Sequence, residues 1–155
     1  MAIAFFDLDR TLISENSGKL WVRSELRQGH ITRWQAIRAF HWLLRYQFGL
    51  VDLEDALISA ISNLEGLGES EMHQRSLRFY RQEVRPLFRP GAFRALSHHR
   101  RAGDKLVLLS STSPYLAGAV REELELDDAL CNHFEVDAQG VFTGKAQLPL
   151  CYGKG

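Results

Sequence analysis

Two aspartates near the start of the chain have the type and spacing that suit catalysis. Asp7 and Asp9 follow the apolar run 2–6 directly, with one residue between them. Carboxylate oxygens are preferred by a hard cation such as Mg²⁺, which would pair with a phosphate substrate. Paired acids also suit a division of labour in which one attacks and the other moves a proton. The alternative interpretation is a polar strand end with two solvated aspartates.

A hydroxyl cluster follows a second apolar run. Ser110, Ser111 and Thr112 come directly after the run 105–109. Hydroxyl and amide donors at such a junction hold a phosphate well, and the N-terminus of the next helix would assist them. The other interpretation is a helix N-cap, because Ser113 precedes Pro114. Both roles are compatible, since they use different hydroxyls.

The elements that must position these residues are predicted from periodicity. Short, fully apolar runs predict strands that are covered on both faces, as in a parallel sheet, with the polar residues at the carboxyl ends where ligands bind. Residues 17–84 instead show helical spacing, which predicts helices at about 17–28, 32–48, 53–63 and 69–84. Their tryptophans, Trp21, Trp34 and Trp42, are expected in the core of this helical segment.

The rest of the chain returns to an α/β pattern. It predicts a helix at 92–101, a strand at 105–109, a helix at 115–125, a third strand at 131–136 and a pairing segment at 141–143. The predicted fold class is therefore α/β, with a Rossmann-like parallel sheet and a helical cap inserted after the first strand.

Composition excludes several classes of protein. The chain has 155 residues, of which 45% are hydrophobic and 25% charged, which argues against disorder. Its 19 basic and 19 acidic residues cancel, whereas a nucleic-acid-binding protein usually has a basic excess. It contains neither a membrane-length apolar run nor a signal-like start, and Cys131 and Cys151 lack metal-site spacing. A cytoplasmic location is expected.

Charge is distributed unevenly in the helical segment. Residues 17–51 carry six basic side chains and one acid, whereas residues 52–71 carry six acids and no Lys or Arg. Two solvated helical faces that attract each other would explain this pattern. Alternatively, some arginines face an anionic substrate. The basic, aromatic-rich segment 33–46 would suit a lipid phosphate or a membrane surface, or its arginines simply lie in solvent.

The two motifs together resemble those of the haloacid dehalogenase-like superfamily of phosphatases. Phe6-Asp7-Leu8-Asp9-Arg10-Thr11-Leu12 is similar to its Asp-x-Asp-x-Thr signature, and Leu108-Leu109-Ser110 to its apolar-strand–Ser/Thr signature. The segments 90–114 and 131–144 look like the phosphoserine-phosphatase-like branch. The resemblance implies a core formed by residues 1–16 and 85–155, with a helical cap at 17–84.

The resemblance also implies a chemistry: a Mg²⁺-dependent phosphomonoesterase for a small phosphorylated substrate, phosphoserine-like or a lipid phosphate. Asp7 would be the nucleophile that forms an aspartyl-phosphate, and Asp9 the general acid and base. Asp7 and the Asp9 carbonyl would bind Mg²⁺. Ser110 would hold a phosphoryl oxygen beside Ser111, and Thr11 would support the loop. A non-catalytic binding or regulatory module on the same fold is the alternative.

The sequence departs from the family pattern in two places. The family's later lysine and acidic loop do not appear before Gly155, and Lys154 is the nearest candidate for the lysine. We therefore expect a core without its last strands, little or no turnover by the isolated chain, and self-association through the open sheet edge. Phosphoserine phosphatases of this branch carry a glutamate nine residues after the nucleophile, where Asn16 stands here, which weakens a phosphoserine assignment.

Overall fold

A three-stranded parallel sheet organises the chain. The structure is a computed structural model that describes residues 2–48 and 53–151. The strands β1 (Ile3–Phe6), β2 (Lys105–Leu109) and β3 (Asp128–Leu130) lie in the order β1-β2-β3. Phe6 is in register with Leu108. The segments that follow β1 and β2 therefore leave the sheet at the same edge, which confirms the predicted α/β class.

Four α-helices follow β1 in the predicted helical segment, close to the predicted positions. They are α1 (Ser17–Gln28), α2 (Arg33–Gln47), α3 (Leu53–Ser62) and α4 (Glu69–Phe79), and α4 continues into a π-helical turn, Tyr80–Val84, and a 3₁₀ turn, Arg85–Leu87. Local signals explain the bounds of α1. The Asn16 side chain accepts a hydrogen bond from the Lys19 N–H at its start, and Gly29 ends it in the left-handed conformation that glycine adopts easily. The division into a cap at 17–84 and a core stays a prediction.

Two further helices, α5 (Pro90–Arg101) and α6 (Pro114–Glu123), flank β2 in sequence. Each begins with a proline, which has no N–H to lose at a helix start. Ser113 caps α6 by accepting a hydrogen bond from the Leu116 N–H at 3.4 Å, as predicted. Buried side chains of α5 and α6 join Phe6, Leu106 and Leu108 in one hydrophobic core.

The expectation that the strands are covered on both faces is wrong. In the described residues, α5 and α6 cover the face that carries Phe6 and Leu108. The opposite face leaves four large apolar side chains exposed: Ile3, Phe5, Leu109 and Leu130. Val107 on that face is nevertheless buried. An apolar run therefore predicted the strand correctly but did not determine which faces are covered.

The third strand of the sheet lies earlier than predicted, at Asp128–Leu130. The predicted strand at 131–136 instead supplies β4 (His133–Val136), which pairs antiparallel with β5 (Phe142–Gln147). This hairpin bonds to the loop before α4: Gly66 N–H donates to the Phe142 carbonyl at 3.0 Å, and Phe142 N–H to the Leu67 carbonyl at 2.9 Å. The predicted pairing of the two segments is confirmed, but the hairpin is joined to the helical segment rather than to the parallel sheet.

A buried glutamate forms the centre of a charge cluster in the helical segment. Glu25 is only 3% exposed and pairs with Arg75 of α4 and with His30, whose Nδ1 lies 3.1 Å from it.

Trp21 packs edge-on against buried Phe79, as expected of a core residue. Trp34, however, is 76% exposed, so the expectation that it lies in the core is wrong. Within the described residues, the helices are too short or too polar to cross a membrane.

Candidate active site

The first predicted carboxylate, Asp7, leaves β1 in an extended conformation and begins a tight turn. Its carbonyl accepts a hydrogen bond from the Leu12 N–H at 3.2 Å, and its Oδ2 accepts one from the Thr11 hydroxyl at 3.3 Å. Thr11 is exposed and Asp7 is partly exposed, so the carboxylate lies within reach of solvent. Thr11 therefore orients the Asp7 side chain, and its role in supporting the loop stays a prediction.

A left-handed residue separates the two aspartates from the rest of the turn. Arg10 has φ 59° and ψ 9°, a backbone region that residues other than glycine rarely occupy. Its N–H donates to the Glu15 carbonyl at 3.1 Å, and its carbonyl accepts from Arg89 Nη1 at 3.0 Å. These bonds hold a strained backbone conformation that redirects the chain immediately after Asp9.

The second carboxylate, Asp9, is held by the start of α1. Its Oδ1 accepts a hydrogen bond from the Ser17 backbone N–H at 2.8 Å, and its Oδ2 accepts one from Asn16 Nδ2 at 2.8 Å. Burial raises the pKa of the Asp9 carboxyl above its ordinary value, and the nearby Asp7 carboxylate adds to this rise, whereas hydrogen bonds from Ser17 oppose it. The two aspartates thus have different environments.

The hydroxyl cluster lies at the end of β2, on the edge that also carries the aspartates. Ser110 is 7% exposed and its Oγ accepts a hydrogen bond from the Thr112 N–H at 3.3 Å. A hydroxyl that accepts in this way keeps its own proton for donation to another acceptor. Ser111 is exposed beside it. Asp7, Asp9, Thr11, Ser110 and Ser111 are therefore brought to one edge of the sheet, whereas Lys154 lies outside the described residues.

Two asparagines that sequence reasoning did not place in the site hold it together. Asn16 bonds to Asp9 and at the same time caps α1. Asn132 is 1% exposed; its Nδ2 donates to the Ser111 carbonyl at 2.8 Å, and its Oδ1 accepts from the Cys151 N–H at 2.6 Å. The signal for Asn16 was its N-cap type before a helical segment. For Asn132 the only signal in the sequence was a polar residue within an apolar stretch.

The donors at this edge fit a magnesium ion only in part. No cluster of three or more His, Cys, Asp or Glu side chains is found in residues 2–48 and 53–151. Each Asp9 carboxylate oxygen already accepts one hydrogen bond, and the Asp7 carboxylate and the Asp9 backbone carbonyl remain the predicted magnesium donors. Mg²⁺ is compatible with such a small set, because it usually keeps several waters and binds substrate phosphates.

Comparison with known proteins agrees with this arrangement of motifs. Residues 4–155 match the family of haloacid dehalogenase-like hydrolases. The chain belongs to that family. Its α/β fold is shared with a crystal structure of a protein of unknown function from Bordetella pertussis Tohama I, at a TM-score of 0.84 and 23% identity, covering 97% of this chain and 68% of that one.

Curated relatives of this haloacid dehalogenase-like chain include two phosphatases. It is 24% identical over 143 residues to a histidinol-phosphatase of Neisseria meningitidis serogroup C (strain 8013), covering 92% of this chain and 64% of that protein. It is 32% identical over 98 residues to a phosphoserine phosphatase of Idiomarina loihiensis, covering 63% of this chain and 40% of that protein. The chain thus spans less than two thirds of the length of each relative.

Proposed function

We propose that the chain carries the nucleophile and the general acid–base of a Mg²⁺-dependent phosphomonoesterase that acts on a small phosphorylated metabolite. The observation that carries this proposal is the different environment of two carboxylates in one turn. Asp7 is within reach of solvent and oriented by Thr11, whereas Asp9 is partly buried and fixed by Asn16 and Ser17. Carboxyl groups whose environments differ in this way suit different roles in one reaction. The names of the two phosphatase relatives support the same class of reaction.

The first step is attack by Asp7 on phosphorus. An Asp7 Oδ atom forms a bond to phosphorus while the bond from phosphorus to the ester oxygen breaks, and that oxygen leaves with the bonding electron pair. Asp9 in its protonated form gives its proton to the leaving oxygen, so that an alcohol is released. The raised pKa of Asp9 favours this protonated form. An aspartyl-phosphate on Asp7 and an ionised Asp9 remain.

The second step returns the site to its starting state. Asp9, now a carboxylate, takes a proton from a water molecule as the water oxygen bonds to phosphorus. The bond from phosphorus to the Asp7 oxygen breaks, inorganic phosphate leaves, and Asp9 is protonated again. The bonds from Asn16 and Ser17 keep Asp9 in one orientation through both steps, because each donor can bond to either protonation state through a remaining lone pair.

The other residues position and neutralise the phosphate. The Ser110 hydroxyl, whose oxygen already accepts from Thr112, donates to a phosphoryl oxygen, with exposed Ser111 beside it. The Asp7 carboxylate and the Asp9 carbonyl would hold Mg²⁺. When bound, this ion offsets the repulsion between an anionic carboxylate and an anionic phosphate. A phosphate-contacting role for Lys154 stays a prediction.

Beryllofluoride binding tests the nucleophile without requiring turnover. The BeF₃⁻ ion imitates a phosphoryl group on a carboxylate, so the wild-type chain with Mg²⁺ should give a bound ¹⁹F signal. We expect Asp7→Asn to lose this signal, because the amide is a poor oxygen donor, and Asp9→Asn to keep it. Absence of the signal in the wild type, or its persistence in Asp7→Asn, would contradict the proposal and favour a non-catalytic module.

Competition for the bound ¹⁹F signal tests the substrate class. Phosphoserine and histidinol phosphate are small esters, whereas lysophosphatidate represents the lipid phosphates. We expect the small esters to displace beryllofluoride at lower concentration. Displacement by lysophosphatidate alone would contradict the small-metabolite proposal but leave the nucleophile assignment intact. Turnover of p-nitrophenyl phosphate, with Asp7→Asn as control, is a second measurement of the role of the nucleophile.

A further inference from the structure

The outward face of α2 carries a row of large apolar side chains. Trp34 is 76% exposed, Ile37 57%, Leu44 48% and Phe48, which directly follows the helix, 72%. Exposed His41 lies between them. Single exposed apolar residues are normal on a protein surface, but a contiguous group on one helix indicates an interaction site. We call Trp34, Ile37, His41, Leu44 and Phe48 the outer stripe.

The outer stripe is separate from the face by which α2 packs on the protein. Its members are three or four residues apart, so they occupy an arc of about 80° around the helix axis. Ala36, which is 2% exposed, lies about 120° around the helix axis from the centre of the outer stripe. The helix therefore has one apolar face for its own fold and a second apolar face that the described residues leave exposed.

Positive charge borders the outer stripe on both sides. At 100° per residue, Arg33 falls beside one edge of the stripe, and Arg38 and Arg45 beside the other. Arg33 and Arg38 are exposed, and the sequence of α2 contains no Asp or Glu. Because the whole chain has a formal net charge of zero, this helix concentrates positive charge at one place.

We propose that α2 docks the protein on an anionic lipid surface through the outer stripe. Tryptophan, phenylalanine and aliphatic side chains would enter the boundary between headgroups and acyl chains, and Arg33 and Arg38 would bond to lipid phosphates. The long arginine stems can follow the apolar row while the guanidinium groups stay in the headgroup layer. A membrane surface suits a single row on one helix, because it requires no complementary pocket.

Vesicle co-sedimentation tests the proposal on the whole 155-residue chain. We expect binding to vesicles of phosphatidylcholine mixed with phosphatidylglycerol, much weaker binding to phosphatidylcholine alone, and loss of binding as salt screens the charges. Ile37→Asn should weaken the partition coefficient at least about tenfold, since it removes an apolar side chain from the lipid boundary. Arg33→Gln combined with Arg38→Gln should weaken it about thirtyfold, at the usual contribution of a basic residue near an anionic surface.

Matched variants outside α2 provide the controls. Ile58→Asn changes an isoleucine on α3 that is 45% exposed, and Arg94→Gln with Arg121→Gln removes two exposed charges from α5 and α6. These variants should bind vesicles like the wild type, and thermal melting should confirm that all variants fold. Equal loss in the controls, or no vesicle binding by the wild type, would overturn the proposal. The proposal would also be overturned if the wild type did not bind vesicles but self-associated with rising concentration in light scattering, and Ile37→Asn abolished that self-association. The outer stripe would then be a protein interface.

Discussion

Asn16 links two functions that separate substitutions can distinguish. Its Oδ1 accepts from the Lys19 N–H at 2.9 Å and caps α1, while its Nδ2 donates to Asp9 at 2.8 Å. Loss of an N-cap costs about 1 kcal/mol. Loss of a hydrogen bond to a charged group costs about 1.5–3 kcal/mol. We therefore expect Asn16→Ala to lower the free energy of unfolding by roughly 3 kcal/mol, with the larger share from the Asp9 contact.

Ser113→Ala is the matched control for the cap alone. Ser113 caps α6 through a longer bond, 3.4 Å to the Leu116 N–H, and should cost about 1 kcal/mol or less. Asn16→Asp keeps an oxygen to cap α1 but places a carboxylate against Asp9. Its loss of stability should shrink as the pH falls, because protonation of either carboxyl restores a donor between them.

Urea denaturation followed by tryptophan fluorescence measures these differences, since Trp21 packs on Phe79 in the folded protein. A double-mutant cycle of Asn16→Ala with Asp9→Ala isolates the contact between the two side chains, and we expect a coupling of about 1–2 kcal/mol. A coupling below about 0.5 kcal/mol would refute the reasoning. The same conclusion would follow if Asn16→Ala cost no more than Ser113→Ala.

Three further substitutions or reactions test other parts of the structure. Because burial raises the pKa of Asp9, the folded chain holds a proton that the unfolded chain releases. The free energy of unfolding should therefore fall as the pH rises above the ordinary range of an Asp carboxyl. Urea denaturation across pH should show this fall in the wild type, and Asp9→Asn should remove it. Glu25→Gln removes the charge of a buried side chain that pairs with partly exposed Arg75, which keeps a second contact to Glu71 at 3.5 Å, and should cost about 1.5–3 kcal/mol in urea denaturation. Arg27→Gln, from an exposed pair with Glu83, should cost about 1 kcal/mol or less. Burial, with smaller contributions from Cys151 and Asp128, raises the pKa of the Cys131 thiol to about 11. Iodoacetamide should therefore alkylate this thiol roughly a hundredfold more slowly at neutral pH than an ordinary thiol. A rate like that of free cysteine, measured by mass spectrometry, would contradict this prediction.

Local sequence signals predicted most of the elements, because those signals act over a few residues. Helical spacing predicted the four helices α1 to α4, and the Ser113-Pro114 pair predicted the start of α6. The strand Asp128–Leu130 was missed because three residues are too few to show a period. The neighbouring apolar residues that form β4 were predicted in its place.

Tertiary placement could not be predicted from the same signals. The exposure of Phe5 and Trp34 depends on which elements cover a face, and an apolar side chain looks the same in sequence whether it is covered or not. Asn132 reaches a carbonyl 21 positions earlier in the chain, a contact that no local pattern contains. The aspartates and Ser110 follow strands whose carboxyl ends lie together because the strands are parallel, whereas their roles in a site stay predictions.

The turn after β1 separates the environments of two carboxylates that lie close together in the sequence. Two carboxylates at alternate positions of a continuous strand would point to the same side and repel each other. The strand ends at Phe6, and the left-handed conformation of Arg10 leads the chain back, so that Asp9 meets the first N–H groups of α1 while Asp7 stays with Thr11. Because Asn16 and Ser17 both begin α1 and hold Asp9, a displacement of this helix changes the hydrogen bonds of the proposed acid–base. The position of α1 and the hydrogen bonding of Asp9 are therefore physically coupled.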